Sequence, residues 1–166
     1  MRRIVCIFLA SFGATLALGT PAMSIGNQGS VSASAGIRVV ITEKGRGIFG
    51  TVTGTFTLRG AAADSGRSGL GGYDSSPPRF LDGQRVQPSK GTGVFAGKKG
   101  DLSLTWSGPS VDLNASADVT TGTWRIKRGT GIYKTWKGGG RFVIFERHTG
   151  PNGVIYEARW EGLVTR

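Results

Sequence analysis

The sequence predicts an all-β protein: a single closed antiparallel β-barrel of about eight strands, preceded by a signal peptide. Three observations carry that expectation. The pattern Gly-x-Gly-[Val/Ile]-[Phe/Tyr]-x4-Gly occurs three times, starting at Gly45, Gly91 and Gly129 and ending at Gly54, Gly100 and Gly138. Paired glycines supply backbone angles that other residues resist, and the β-branched and aromatic pair offers an apolar plug, so each copy reads as a corner between two strands. Long stretches also alternate apolar and polar residues at a period of two, and no segment after the leader repeats at the helical period.

The N-terminus has the three-part layout of a secretory signal: Arg2 and Arg3, the apolar run from Ile4 to Leu18, then small residues through Ser24. Cleavage is expected after Ala22 or Ser24. The run is interrupted by Ser11, Gly13 and Thr15 and falls short of the roughly 20 apolar residues that span a bilayer, so no transmembrane segment is expected after cleavage. Residues 1–24 are thus read as signal, 25–36 as a flexible lead-in of small polar residues, and 37–166 as the barrel domain. Localisation follows: secreted, periplasmic or in the cell envelope.

Removal of the leader takes Cys6, the single cysteine, and leaves a chain without disulfide, thiol nucleophile or cysteine metal ligand. The leader carries two of the 21 basic residues and none of the ten acidic ones, so the remainder keeps a charge of +9. Such an excess favours anionic surroundings, although no basic run is long enough to be a dedicated polybasic arm.

Taken in order, Ile37 to Glu43 reads as a short β-branched strand ended by a turn at Lys44–Gly47. Val52, Phe56 and Leu58 then alternate with Thr51, Thr53, Thr55, Thr57 and Arg59, the clearest strand in the chain. Residues 60–90 are rich in Gly and Ser and contain Pro77-Pro78. A structureless loop of that length is uncommon, so this segment is expected to hide a short strand or to form a flap over an opening. Leu102, Leu104 and Trp106 form the next apolar face. Ser107-Gly-Pro-Ser110 is read as a turn into a strand over Val111–Asp118, and Trp124 and Ile126 lead to the third corner.

The last hairpin permits a residue-level register. If Thr149–Gly153 is a five-residue loop, His148 pairs with Val154, Arg141 with Glu161, Val143 with Arg159 and Phe145 with Glu157. Phe142, Ile144, Ala158 and Trp160 then share the apolar face, which also receives Glu146 opposite Tyr156. Open edges of such a sheet invite aggregation and closure removes them; eight strands enclose a space filled by side chains or by one small ligand. A two-sheet sandwich is the alternative.

The stretch Trp124–Gly140, together with Gly91-Thr-Gly-Val-Phe-Ala-Gly97, resembles the allene oxide cyclase and dirigent-like barrels and their secreted bacterial relatives. The resemblance implies an eight-stranded antiparallel barrel whose interior, in some members, binds an apolar ligand and guides a cyclisation or coupling. It does not carry over the family's polar catalytic positions to this chain.

Gly45-Arg-Gly-Ile-Phe-Gly50 matches the dinucleotide pattern Gly-x-Gly-x-x-Gly but is followed by a strand pattern, whereas the chemistry needs a helix N-terminus there. His148 is the single histidine, which rules out a histidine metal cluster; it borders a turn and is read as a solvated loop residue. No metal and no cofactor is expected. Asn114-Ala-Ser116 fits a glycosylation sequon, a three-residue match that is frequent by chance. No dedicated nucleic-acid motif is present.

Glu146 and Tyr156 are the candidate catalytic pair, because a carboxyl in an apolar barrel has a raised pKa and is suited to proton transfer beside a phenol. Trp106, Trp124, Tyr133 and Trp160 are the candidate ligand-binding aromatics, each equally suited to be core. Three functions are therefore expected in order: a binding or surface module for a small apolar ligand, a cofactor-free cyclase or isomerase of allene oxide cyclase or dirigent type, and a basic envelope protein binding an anionic surface polymer.

Overall fold

Apolar residues at every second position need a common interior, and the computed structural model, which describes residues 36–166, supplies it by rolling one sheet into a barrel. The strands are β1 (Ile37–Ile48), β2 (Thr51–Gly60), β3 (Asp64–Asp74), β4 (Arg79–Leu81), β5 (Gln84–Gly97), β6 (Gly100–Asn114), β7 (Ala117–Gly129), β8 (Lys137–His148) and β9 (Gly153–Thr165). Eight of them pair antiparallel in the ring order β3-β2-β1-β9-β8-β7-β6-β5, and β5 returns to β3. β4 pairs with β5 alone and forms a flap at one rim. The expected barrel is therefore present, closed, with one 3-10 turn at Gly131–Tyr133 and no α-helix among the described residues. The leader and the lead-in lie outside the described residues, apart from Gly36.

The last hairpin has the register derived from its loop length: Arg141 faces Glu161, Val143 faces Arg159, Phe145 faces Glu157, Glu146 faces Tyr156 and His148 faces Val154. Trp124 and Trp160 are 1% and 0% exposed, so both indoles belong to the interior. Rings fill the barrel from one wall to the other. Phe56 meets Phe95 edge-on at 5.2 Å, Phe95 meets Trp160 at 6.1 Å, Trp160 stacks on Phe142 at 4.8 Å, and Phe142 meets Trp106 at 5.6 Å. Such rings bury on the order of 150–250 Å² each and dominate the energetics of a core that has no disulfide to support it.

Three local expectations are corrected. β1 does not end at Glu43 but runs through Lys44–Gly47 to Ile48, paired on both sides, and turns at Phe49-Gly50. Ser107–Ser110 is not a turn: β6 passes straight through it and reverses at Ala115-Ser116. The reason is visible across the ladder, where a side chain at Gly108 would lie 1.8 Å from the Thr121 carbonyl oxygen; the glycine serves close strand approach, and Pro109 sits where β6 makes no register pair with β7. Residues 60–90 hold an entire barrel strand, β3, as well as the flap.

The three glycine copies do connect strands, but they are not equivalent. The second and third lie together at the lower rim, where the β5–β6 and β7–β8 connections meet: Thr130 N–H donates to the Asp101 carbonyl at 2.8 Å and Ile132 N–H to the Lys99 carbonyl at 3.1 Å. Their aromatic members, Phe95 and Tyr133, are both fully buried, and their last glycines, Gly100 and Gly138, adopt φ of +137° and +143°. The first copy lies at the upper rim with Ile48 and Phe49 exposed, so its apolar pair plugs nothing.

Asp64 locks the lower rim. Its carboxylate accepts from the Tyr133 hydroxyl at 2.7 Å and from the backbone N–H groups of Ser65, Lys98 and Lys99 at 2.8, 3.1 and 3.2 Å. Burial pushes its pKa up, but these four donors outweigh that and hold it below the ordinary carboxylate value. A carboxyl with a lowered folded pKa contributes stability that is complete above its unfolded pKa and lost as the pH falls through the folded one. Asp64→Asn is expected to cost about 2 kcal/mol at pH 7 and to flatten the acid limb of the stability curve, measured by urea unfolding between pH 2 and 7.

Candidate functional site

The upper rim is where the β1–β2, β6–β7 and β8–β9 connections and the β4 flap converge, and there the ring of rings stops short of the surface. What remains is an open cup of about 460 Å³. Its floor is apolar, with Val52, Leu70, Trp106, Ile144 and Val154; its wall is polar, with Gln87, Ser110, Asp118, Thr120 and Glu146. The size falls within the roughly 300–1,000 Å³ of small-molecule sites.

The floor exists because small residues stand opposite a large one. A Cβ on Gly72 or Gly91 would lie 2.6 or 2.5 Å from the Trp106 ring, so the indole lies against two glycines of β3 and β5. Its Nε1 is buried without a hydrogen-bond partner.

Two carboxyls meet on the β7–β8 side. Asp118 and Glu146 are direct cross-strand partners. Asp118 is 3.0 Å from His148 Nε2 and accepts from the Ser110 hydroxyl at 3.4 Å. Glu146 makes no hydrogen bond among the described residues; burial raises its pKa first, the Asp118 charge raises it further, and His148 lowers it, leaving it at about 7. A carboxyl raised to about 7 lies in the range suited to proton transfer near neutral pH, and Glu146 lines the cup.

His148 is corrected from a solvated loop residue to the end of β8, half-buried, with Phe49 edge-on to its ring at 4.8 Å. Next to Asp118, whose cross-strand partner on β6 is Asp112, Arg85 donates to Gln87 Oε1 at 2.7 Å and to Asp112 at 3.4 Å. Gln87 in turn donates to the Ser76 carbonyl, which ties the flap to the wall.

Tyr156, although cross-strand from Glu146, is committed elsewhere. Its hydroxyl donates to Glu43 Oε1 at 2.6 Å, while Trp160 Nε1 donates to Glu43 Oε2 at 3.2 Å. Glu43 is 2% exposed, and burial raises its pKa against the opposing pull of Ser68, Tyr156 and Trp160. Burial, the Glu43 charge and their shared hydrogen bond together push the Tyr156 phenol far above its usual value. This phenol stays protonated and does not line the cup.

The residues singled out from the sequence thus separate. Glu146 and Trp106 come together in the cup; Tyr156 and Trp160 hold Glu43 below it; Tyr133 holds Asp64 at the lower rim. Trp124 donates from Nε1 to the carbonyls of Arg141 and Glu161 at 3.0 and 3.2 Å. Glu43 stands at the apparent end of a short strand, but the alternation Val39, Ile41, Glu43 puts it inside. Asp118 and His148 come together because β6 reverses at Ala115-Ser116, seven residues beyond the turn that Ser107–Ser110 suggests. No group of three or more potential metal ligands is found among the described residues.

No protein-family model, curated protein or solved structure matches the chain.

The raised pKa of Glu146 has a stability consequence. A carboxyl whose folded pKa lies above its unfolded value favours the folded state only while protonated, and that advantage disappears as the pH rises through the folded pKa. Glu146→Gln is expected to stabilise the protein by on the order of 2 kcal/mol at pH 8.5 and to change little at pH 4, measured by thermal unfolding at both values.

Proposed function

We propose that this barrel is an exported binding module that takes one small ligand, with an apolar body and a hydrogen-bonding head, into the cup at its upper rim. The observation that carries this reading is the cup itself: an apolar floor around Trp106 beneath a polar wall, on a barrel whose centre is already filled by its own rings. The ligand sits at the mouth rather than in the middle, because Phe95, Tyr156 and Trp160 leave no room there. Export rests on the leader-like N-terminus alone.

A second reading adds chemistry at the same place. A cofactor-free isomerase or cyclase needs a pre-shaped pocket and one group able to move a proton near neutral pH, and Glu146 is the group with that property in the cup. In that reading Tyr156 positions Glu43 and takes no proton from substrate.

Ser110→Trp fills the cup from its wall at the loss of one long hydrogen bond. Titration with the neutral dye Nile red is expected to give saturable, blue-shifted emission with the parent protein and at least tenfold weaker binding with the variant. Equal binding by the two would remove the cup as the site. If the cup also converts its ligand, small molecules recovered by native mass spectrometry should differ between the parent and Glu146→Gln, with the variant retaining an unconverted form.

A further inference from the structure

On the outer wall β7 and β8 are paired only as far as Arg125 and Gly139; beyond that pair they part. The 3-10 turn and Lys134-Thr-Trp136 fill the lower end of the gap, and above them lies a groove of about 960 Å³. Five cations line it, Arg125, Lys127, Arg128, Lys134 and Lys137, all exposed, and no carboxylate does. None of the five is in an ion pair among the described residues, whereas Arg38, Lys44, Arg85 and Arg159 each have a carboxylate partner. The far bank is Gly138-Gly-Gly140, which offers backbone in place of side chains.

Lys127 has a further distinction. The β6–β7 register steps from Ser103–Arg128 to Leu104–Ile126, so Lys127 is the extra residue of a β-bulge. Bulges re-aim a side chain at a barrel rim. Lys127 has no register partner on β6 and none on β8, and it is exposed on the groove wall.

We propose that the β7–β8 groove binds an unbranched anionic polymer whose phosphate or carboxylate groups are closely spaced along its backbone. A concave row of like charges is costly to maintain unless an opposite charge occupies it, and an extended chain is the shape that meets five cations strung along two strands. Nucleic acid is disfavoured as the occupant because the groove offers no base-stacking face: its two tryptophans, Trp124 and Trp136, are 1% and 4% exposed. The site is separate from the cup and does not depend on it.

The test compares two charge-matched triple variants. Lys127→Gln/Lys134→Gln/Lys137→Gln removes three of the five groove cations, while Arg46→Gln/Arg59→Gln/Arg67→Gln removes the same charge from β1, β2 and β3 on the far wall. All six side chains are exposed, and thermal unfolding checks that both variants fold. Binding of linear inorganic polyphosphate and of polygalacturonate is measured across salt concentrations, with oligothymidylate of matched charge as the third probe. The groove variant should bind polyphosphate or polygalacturonate at least tenfold more weakly, with the salt slope reduced by roughly 2, given about 0.7 per single-strand charge contact. The far-wall variant should bind like the parent. Which polymer binds more tightly assigns phosphate or carboxylate. Equal losses in the two variants would reduce the effect to net charge and overturn the proposal, as would tighter binding of oligothymidylate than of either base-free polymer.

Discussion

The ladder between β3 and β5 is the constraint from which the rest follows. Without its nine register pairs, Gly66–Gly97 to Asp74–Ser89, the same eight strands would form an open sheet with two long exposed edges. β3 can close the wall because its inward positions, Leu70 apart, are small or polar: Asp64, Gly66, Ser68 and Gly72. A barrel of eight strands has little interior to share, so rings on the other strands need a neighbour that occupies almost none. Trp106 lies against Gly72, and Tyr133 reaches Asp64; each uses space that a conventional hydrophobic strand would have taken.

That arrangement explains what was legible in the sequence and what was not. The β8–β9 hairpin could be read residue by residue because a five-residue loop fixes the register and large apolar side chains mark the inner face. β2 was equally plain, with threonine outside and Val52, Phe56 and Leu58 inside. β3 has no such marks, since its role is to yield volume, and a strand of Gly and Ser looks like a loop to any rule based on hydrophobic alternation. Ser107–Ser110 misleads for the opposite reason: its glycine and proline fit turn chemistry, but Gly108 is needed for close approach to β7. Local signals of glycine are ambiguous until the neighbouring strand is known.

The candidate site was half visible on the same grounds. Glu146 emerges from the hairpin register as a carboxyl on the inner face, and it does stand in the cup. Its surroundings required long-range knowledge, because Asp118 lies on β7 and its alignment depends on where β6 turns. The two ends of the barrel are thereby distinguished: Asp64 and Tyr133 seal the lower one with satisfied hydrogen bonds, while at the upper one the Glu146 carboxyl makes no side-chain hydrogen bond among the described residues. Glu43 sits between them as the polar group the interior can tolerate, because a phenol and an indole both donate to it.

The pairing of β1 with β9 joins residues 37–48 to residues 153–165, the first and last strands of the ring. During synthesis from the N-terminus, β1 therefore waits for its β9 neighbour until more than a hundred further residues have emerged. Over residues 38–46 the outer face of β1 carries Arg38, Thr42, Lys44 and Arg46 around the single apolar Val40, a mostly cationic face that resists premature sticking to other chains. The wall is finished only when β9 is available, so closure of this barrel waits for residues 153–165.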